Sequence, residues 1–171
     1  MLFLLGCTPE KQQIITDEKQ QAIVKTCPNV FFSKEHRIYV TGHESSLKVE
    51  NISYRAELNN YFFNTECSIV DNVLTGNLSL LFVILPENLI QDDILLPYYI
   101  ALVSSEDKII DIQYYSIQGV MQKDYERSLY LETELTANIE IKMSGKEKKI
   151  NLNNSLIIGF MLDQEKIKIL N

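Results

Sequence analysis

Short runs of β-branched and aromatic residues recur along most of this 171-residue chain and constrain its fold more than any other feature. In residues 52–58 the apolar side chains stand at every second position. Side chains of a β-strand point alternately to opposite faces, so this spacing predicts a strand with one face in a core and the other in solvent. The side chains expected in the core are Ile52, Tyr54, Ala56 and Leu58.

Seven runs of this kind follow Cys27, and Asn, Asp, Ser or Gly separates each from the next. Short strands with polar turns between them are typical of a β-sandwich. We therefore predict an all-β domain over residues 27–171, an immunoglobulin-like antiparallel β-sandwich of about seven strands. The predicted strands cover residues 29–33, 52–60, 77–85, 98–104, 109–117, 128–141 and 156–162.

The sequence also predicts two hairpin turns, a short helix, and which side chains of residues 128–141 point to the core. Residues 104–108 and 144–147 are polar segments between predicted strands, and each is expected to form a hairpin turn. After the last strand, Asp163 can accept a hydrogen bond from the first turn of a short helix over residues 164–169. Alternation within residues 128–141 directs the following side chains to the core: Leu129, Leu131, Thr133 and Leu135.

The N-terminal residues are an apolar run that ends in Gly6-Cys7. They resemble the lipobox of bacterial lipoproteins, with Leu4 at the third position before the cysteine. The resemblance implies cleavage before Cys7 and attachment of lipid to its thiol, so that residues 1–6 are a signal-peptide remnant and residues 7–26 a lipid-anchored tether. The apolar run is shorter than the roughly 7–15 residues usual in a signal peptide, so we expect the natural start to lie upstream. The alternative is an apolar N-terminus that is not processed.

Three cysteines are present, and a lipid on Cys7 would leave Cys27 and Cys67 as a pair. In an oxidising compartment the two could form a disulfide, which for a loop of about 40 residues stabilises a fold by roughly 4 kcal/mol. The alternative is two buried free thiols that act as small apolar groups. His36 and His43 have no cysteine partner at zinc-binding spacing, so neither a metal nor another cofactor is expected.

Composition and motifs weigh against several functions. The formal net charge of −7 argues against a nucleic-acid partner, which needs a concentrated basic face. The sequence lacks a G-x-S-x-G elbow, a phosphate-binding glycine loop, an H-E-x-x-H pair and an EF-hand pattern. Asp92 and Asp93 could be a carboxylate pair for acid–base chemistry, but a solvated loop is the favoured interpretation. Four lysines are likewise interpreted as solvating a turn rather than binding phosphate: Lys142, Lys146, Lys148 and Lys149.

Aromatic doublets are the remaining candidates for a binding surface. Consecutive residues of a strand face opposite sides, so each doublet is expected to place one ring in the core and to leave its neighbour outside. The outer ring could anchor a partner, although simple packing against a neighbouring strand is the favoured interpretation of any single doublet. The doublets are Phe31-Phe32, Phe62-Phe63, Tyr98-Tyr99 and Tyr114-Tyr115.

Several of these segments together resemble a family of small alphaproteobacterial lipoproteins of unknown function. The likeness covers residues 27–168 beside the lipobox, and it implies a periplasmic location, a Cys27–Cys67 disulfide and a sandwich fold. It supplies no activity and no catalytic residue. The segments that carry it are Cys27-Pro28-Asn29-Val30, the second cysteine at Cys67, Leu96-Pro97-Tyr98-Tyr99-Ile100-Ala101-Leu102 and Ile158-Gly159-Phe160-Met161-Leu162.

The function expected from these observations is a non-enzymatic protein-interaction module on the periplasmic side of a bacterial membrane. Its partners would be the membrane, through lipid on Cys7, and another envelope protein. The alternative is a binder of a small periplasmic ligand, or a hydrolase whose site is assembled from scattered residues. A deep pocket with convergent polar groups would favour this alternative, whereas a shallow surface with exposed aromatic rings would favour the interaction module.

Overall fold

The computed structural model describes residues 27–42, 47–88 and 92–171. The lipobox, the tether and His43 lie outside the described residues. The predicted all-β architecture is confirmed. The strands are β1 Asn29–Phe32, β2 Ile38–Gly42, β3 Ile52–Phe63, β4 Ser68–Val70, β5 Val73–Pro86, β6 Asp93–Val103, β7 Ile109–Val120, β8 Lys123–Asp124, β9 Leu129–Tyr130, β10 Thr133–Ser144 and β11 Ser155–Phe160; a 3-10 turn spans Val49–Asn51 and helix α1 spans Gln164–Leu170.

Two sheets form the sandwich. One has four strands in the order β1-β11-β6-β7, and the other has the order β10-β5-β3-β2 with β4 paired to β5. The pairing is antiparallel as predicted except between β1 and β11, which are parallel. Within the described part of the chain, strands β8 and β9 pair only with each other and form a separate two-stranded ribbon.

The inner faces of the two sheets meet in one apolar core. The apolar side chains at every second position of residues 52–58 of β3 are buried, which confirms the prediction for this segment. The ring of Phe82 on β5 lies between Tyr98 on β6 and Phe160 on β11, with centroid distances of 5.2 and 5.9 Å. Burying a large apolar side chain stabilises a fold by about 1.5–3 kcal/mol, so this contact between sheets is a main source of stability.

Three strands were not predicted, and one predicted strand is broken. Strands β2, β4 and β8 are short, with two to five residues each. The predicted strand over residues 128–141 divides into β9 and β10. The prediction that Leu129 and Leu131 point into the core is wrong, because both side chains are exposed. Leu129 pairs with β8 in the ribbon instead of the main sheet, and only from Thr133 onward does the chain follow β5.

The two predicted hairpins differ in outcome. Residues 104–108 do join β6 to the neighbouring β7, and the Ser104 hydroxyl accepts hydrogen bonds from the backbone N–H groups of Glu106 and Lys108. Residues 144–147 are not a hairpin, because β10 pairs with β5 whereas β11 lies in the other sheet. The predicted helix is present, and the Asp163 carboxylate accepts a hydrogen bond from the N–H of Lys166 as its N-cap.

Asn72 holds the segment between β10 and β11, which passes from one sheet to the other. Its side-chain amide donates to the carbonyl oxygens of Gly145 and Lys148, and its side-chain oxygen accepts from the N–H of Ile150 at 2.7 Å. Lys148 also donates to the carbonyl of Ile109 at 3.3 Å, whereas Lys146 is exposed. The backbone of the lysine-rich turn is therefore held by the Asn72 side chain, and the lysines of the turn lie on the surface.

Cys27 and Cys67 come together at one end of the sandwich. Their sulfur atoms lie 1.99 Å apart, which is the distance of a disulfide bond. The contact joins the residue two positions before β1 to the connection between β3 and β4, so it links the two sheets. Gly76 on β5 leaves the necessary space, because a Cβ atom there would lie 2.8 Å from the Cys67 sulfur.

Candidate functional site

The aromatic doublets of the four-stranded sheet each place one ring inward and one ring outward, as predicted. Tyr98 is buried and Tyr115 stacks on it, with ring centroids 5.5 Å apart. Their neighbours Tyr99 and Tyr114 face away from the core, and so does Phe31 on β1. Alternation within each strand, together with the register of the strand pairs, therefore brings three aromatic rings to the same side of one sheet.

This outward side, which we call the outer face, consists of Phe31, Tyr99, Ala101, Ile112, Tyr114 and Ile157. One apolar row crosses all four strands, because Phe31 is the register partner of Ile157, Ile157 of Ala101, and Ala101 of Ile112. Tyr99 and Tyr114 are partners in the next row. Side chains at paired positions lie about 5 Å apart, so the row is continuous across the sheet.

A trough runs along β6 within the outer face. Ala101 is only 3% exposed although the core lies on the opposite side of its strand, since larger side chains on β11 and β7 stand on either side. The trough has a volume of about 550 Å³, and Ile157, Ile112 and Tyr114 are among the residues that line it. It is an open, apolar depression that large flat side chains could enter.

A polar pair lines the trough. His36 Nδ1 lies 3.2 Å from the Tyr99 hydroxyl, and the two rings meet edge to face. The carbonyl of His36 accepts a 2.7 Å hydrogen bond from the N–H of Phe160, which fixes this part of the chain beside β11. Gly159 is required here, because a Cβ atom at that position would lie 2.6 Å from the Tyr99 hydroxyl.

A second cluster of polar groups joins the ribbon to the sandwich, and we call it the clasp. Lys123 Nζ on β8 lies 2.6 Å from Asp92 Oδ2, and the Tyr130 hydroxyl on β9 donates to the other oxygen of Asp92. The ammonium group also lies 4.6 Å from the centroid of the Tyr130 ring. The N–H of Met121 donates to the carbonyl of Asp92 at 2.8 Å, so backbone and side chains both hold the ribbon in place.

The clasp is better suited to holding charge than to transferring protons. Hydrogen bonds from Lys123 and Tyr130 lower the pKa of Asp92, and the hydrogen bond to Asp92 raises the pKa of Lys123 to about 12. Both groups therefore stay charged at neutral pH, whereas acid–base catalysis works best when a group titrates near the working pH. The clasp contacts are made by Asp92, whereas Asp93 is exposed as the first residue of β6 and the register partner of Val120.

Sequence reasoning identified the outer rings as candidates but not the clasp. The doublets carry a local signal, because neighbouring residues of a strand must face opposite sides. The clasp brings together Asp92 and residues more than 30 positions later, and no spacing in the sequence indicates such a contact.

Among the described residues, no helix is long and apolar enough to cross a membrane. The same residues contain no group of three or more His, Cys, Asp or Glu side chains that could hold a metal ion. Fold and site together define a β-sandwich protein with an apolar outer face on its four-stranded sheet. Comparison of the chain with protein-family models, with curated proteins and with solved structures finds no match.

Proposed function

We propose that this protein is a lipid-anchored module of the bacterial envelope that acts without catalysis by binding another envelope protein through its outer face. The observation that carries the proposal is the apolar row that crosses all four strands beside the exposed rings of Phe31 and Tyr114. Large contiguous apolar patches on a protein surface mark interaction sites. Aromatic side chains are also among the residues that contribute most to protein–protein binding.

The shape of the surface supports a protein partner. The trough is open to solvent, and His36 and Tyr99 form one polar pair in its wall. A small-ligand binder is the second candidate, because a trough of about 550 Å³ falls within the volume range of ligand sites. Such sites enclose most of a ligand's surface, which an open depression does not do.

The proposed anchor would act from the same sheet. Cys27 stands just before β1, and β1 is the edge strand that carries Phe31. The predicted tether of residues 7–26 reaches about 60 Å when fully extended, so a lipid on Cys7 would confine the outer face to a thin layer next to the membrane. Confinement of this kind raises the effective concentration of a partner in the same layer.

Charge placed on the outer face tests the contact. Phe31→Glu should reduce crosslinking of the native lipidated protein to its partner by about 100-fold, because burying an unpaired carboxylate costs several kcal/mol. Phe62→Glu is the matched control, since Phe31 and Phe62 are both 56% exposed but lie on different sheets. Equal loss in both variants, or no loss with Phe31→Glu in a folded protein, would contradict the proposed contact.

Metabolic labelling tests the anchor. A palmitate analogue should label the wild-type protein, and Cys7→Ala should remove the label completely because the thiol is the proposed attachment site. Cys7→Ala should also release the protein from the membrane fraction while its far-UV circular dichroism stays unchanged. Labelling that persists in the variant would show that Cys7 is not the lipid site.

A further inference from the structure

The ribbon of β8 and β9 presents apolar side chains to solvent in a fixed arrangement. Each of its strands has two residues, and an isolated ribbon of that length would not be stable by itself. The clasp holds it, and the apolar side chains it presents are strongly exposed, with Tyr125 at 86%. Leu129 and Leu131 alternate along the chain as core residues do, yet they lie outside any core.

The exposed residues surround a recess. Tyr125 and Leu129 line the same cavity of about 300 Å³, together with Lys123 and the Tyr130 ring. We call this apolar surface and its recess the ribbon tip. A volume of this size could receive one or two side chains of a partner, while the Tyr125 ring projects toward that partner.

The surroundings of the ribbon tip are strongly acidic. Residues 92–93 and 120–134 contain two Lys or Arg residues and six Asp or Glu residues, so their formal net charge is −4. This segment holds more than half of the chain's net charge of −7 in a tenth of its length. An anionic lipid surface or a second ribbon tip would be repelled, whereas a basic surface would be attracted.

The ribbon tip also lies far from the start of the domain. In the register of the sheet, Asn29 at the start of β1 pairs with Ser155, Ser155 pairs with Val103, and Val103 pairs with Ile109 at the start of β7. Residues 27–29 therefore lie at the same end of the sheet as Ile109. The ribbon follows the opposite end of β7, 12 residues away, which is about 40 Å in an extended strand. The proposed tether therefore joins the domain at the end opposite the ribbon tip.

We propose that the ribbon tip is a second binding surface, which inserts Tyr125 and Leu129 into an apolar groove rimmed by Lys or Arg on a protein partner. The clasp positions the ribbon for this contact, because two hydrogen bonds and a cation–π contact restrict its orientation before binding. This surface is separate from the outer face, so it can succeed or fail independently of the function proposed above.

A random dodecapeptide library displayed on phage is the probe for this chemistry. Selection on the full chain should enrich peptides that combine aromatic or aliphatic residues with Lys or Arg. A synthetic copy of an enriched peptide should lose at least tenfold in affinity with Tyr125→Ser or Leu129→Ser, measured by fluorescence anisotropy. Glu132→Lys should weaken binding severalfold, and added salt should do the same, since the attraction is partly electrostatic.

Matched variants make the result decisive. Phe62→Ser removes an exposed ring elsewhere, and Glu147→Lys makes the same charge change in the turn between β10 and β11; neither should change the affinity by more than twofold. Each variant is used only if its cooperative urea unfolding matches that of the wild type. Enrichment of peptides without basic residues, or binding that Tyr114→Ser abolishes while Tyr125→Ser leaves it intact, would overturn the proposal. Peptide binding that depends on Tyr114 would still support the outer face as a binding surface.

Discussion

Between pH 10 and pH 12 the folded domain is expected to lose several kcal/mol of stability and to unfold. Burial raises the pKa of Tyr54 to about 12, and burial also raises the pKa values of Tyr98, Tyr39 and Tyr115 above the usual value of 10. A phenol whose pKa is higher in the folded state stabilises the fold below pH 10 and loses that contribution as the pH rises through its folded pKa. Tyr54 alone accounts for about 2 kcal/mol by pH 12.

The structural cause is clear for Tyr54. Its side chain extends from β3 across the core, and its hydroxyl both accepts from the N–H of Leu95 at 3.2 Å and donates to the carbonyl of Leu95 at 3.4 Å. Ionisation would place a charge in the core and remove the proton that the carbonyl accepts. Because Leu95 lies on β6, the contact that is lost is one between the two sheets.

Tyr54→Phe separates this effect from general alkaline damage. The variant should be less stable than the wild type at pH 7 by about 1–3 kcal/mol, because the N–H of Leu95 loses its hydrogen-bond acceptor. Its stability should nevertheless fall less between about pH 9 and pH 12, by about 2 kcal/mol, since the titrating group is gone. Urea unfolding at each pH, followed by far-UV circular dichroism, measures both quantities. An identical loss of stability on alkalinisation in the two proteins would contradict the assignment to Tyr54.

The parts of the fold that could be predicted are those that depend on neighbours in sequence. Alternation in residues 52–58 correctly gave the buried face of β3, and Asp163 correctly marked the start of α1. The inward and outward rings of the doublets follow from the same rule. None of these statements requires knowledge of which strands pair.

The parts that could not be predicted depend on distant contacts. Alternation continues through Leu129 and Leu131, but it cannot show that β9 pairs with β8 rather than with β5. The turn after Ser144 resembles a hairpin in composition, whereas the contacts that direct it to the other sheet come from Asn72, more than 70 residues earlier. Likewise, Phe31 joins the outer face because β1 pairs with β11, and this parallel pairing leaves no local pattern.

Loss of the Cys27–Cys67 bond should lower the free energy of unfolding by about 4 kcal/mol, because the closed loop of 40 residues restricts the unfolded chain. This is a large fraction of the 5–15 kcal/mol typical of a domain. Urea unfolding of the oxidised wild type and of the double variant Cys27→Ser/Cys67→Ser measures the difference. Non-reducing peptide mapping of the wild type, taken from cells without added oxidant, should recover the two cysteines in one linked fragment.

Loss of the Cys27–Cys67 bond should destabilise β1 more than any other strand. Because β1 also carries Phe31, the same loss should affect the proposed binding through the outer face. Strand β1 has four residues, and among the described strands it pairs only with β11, so the bond at Cys27 is a major restraint on its position. In the double variant, amide hydrogen exchange at Val30 and Phe32 should therefore accelerate more than exchange at Ile100 in the centre of the sheet. Binding through the outer face should weaken in parallel, because Phe31 lies on the loosened strand. Uniform acceleration across the sheet, or unchanged stability after reduction, would show that the bond does not restrain β1.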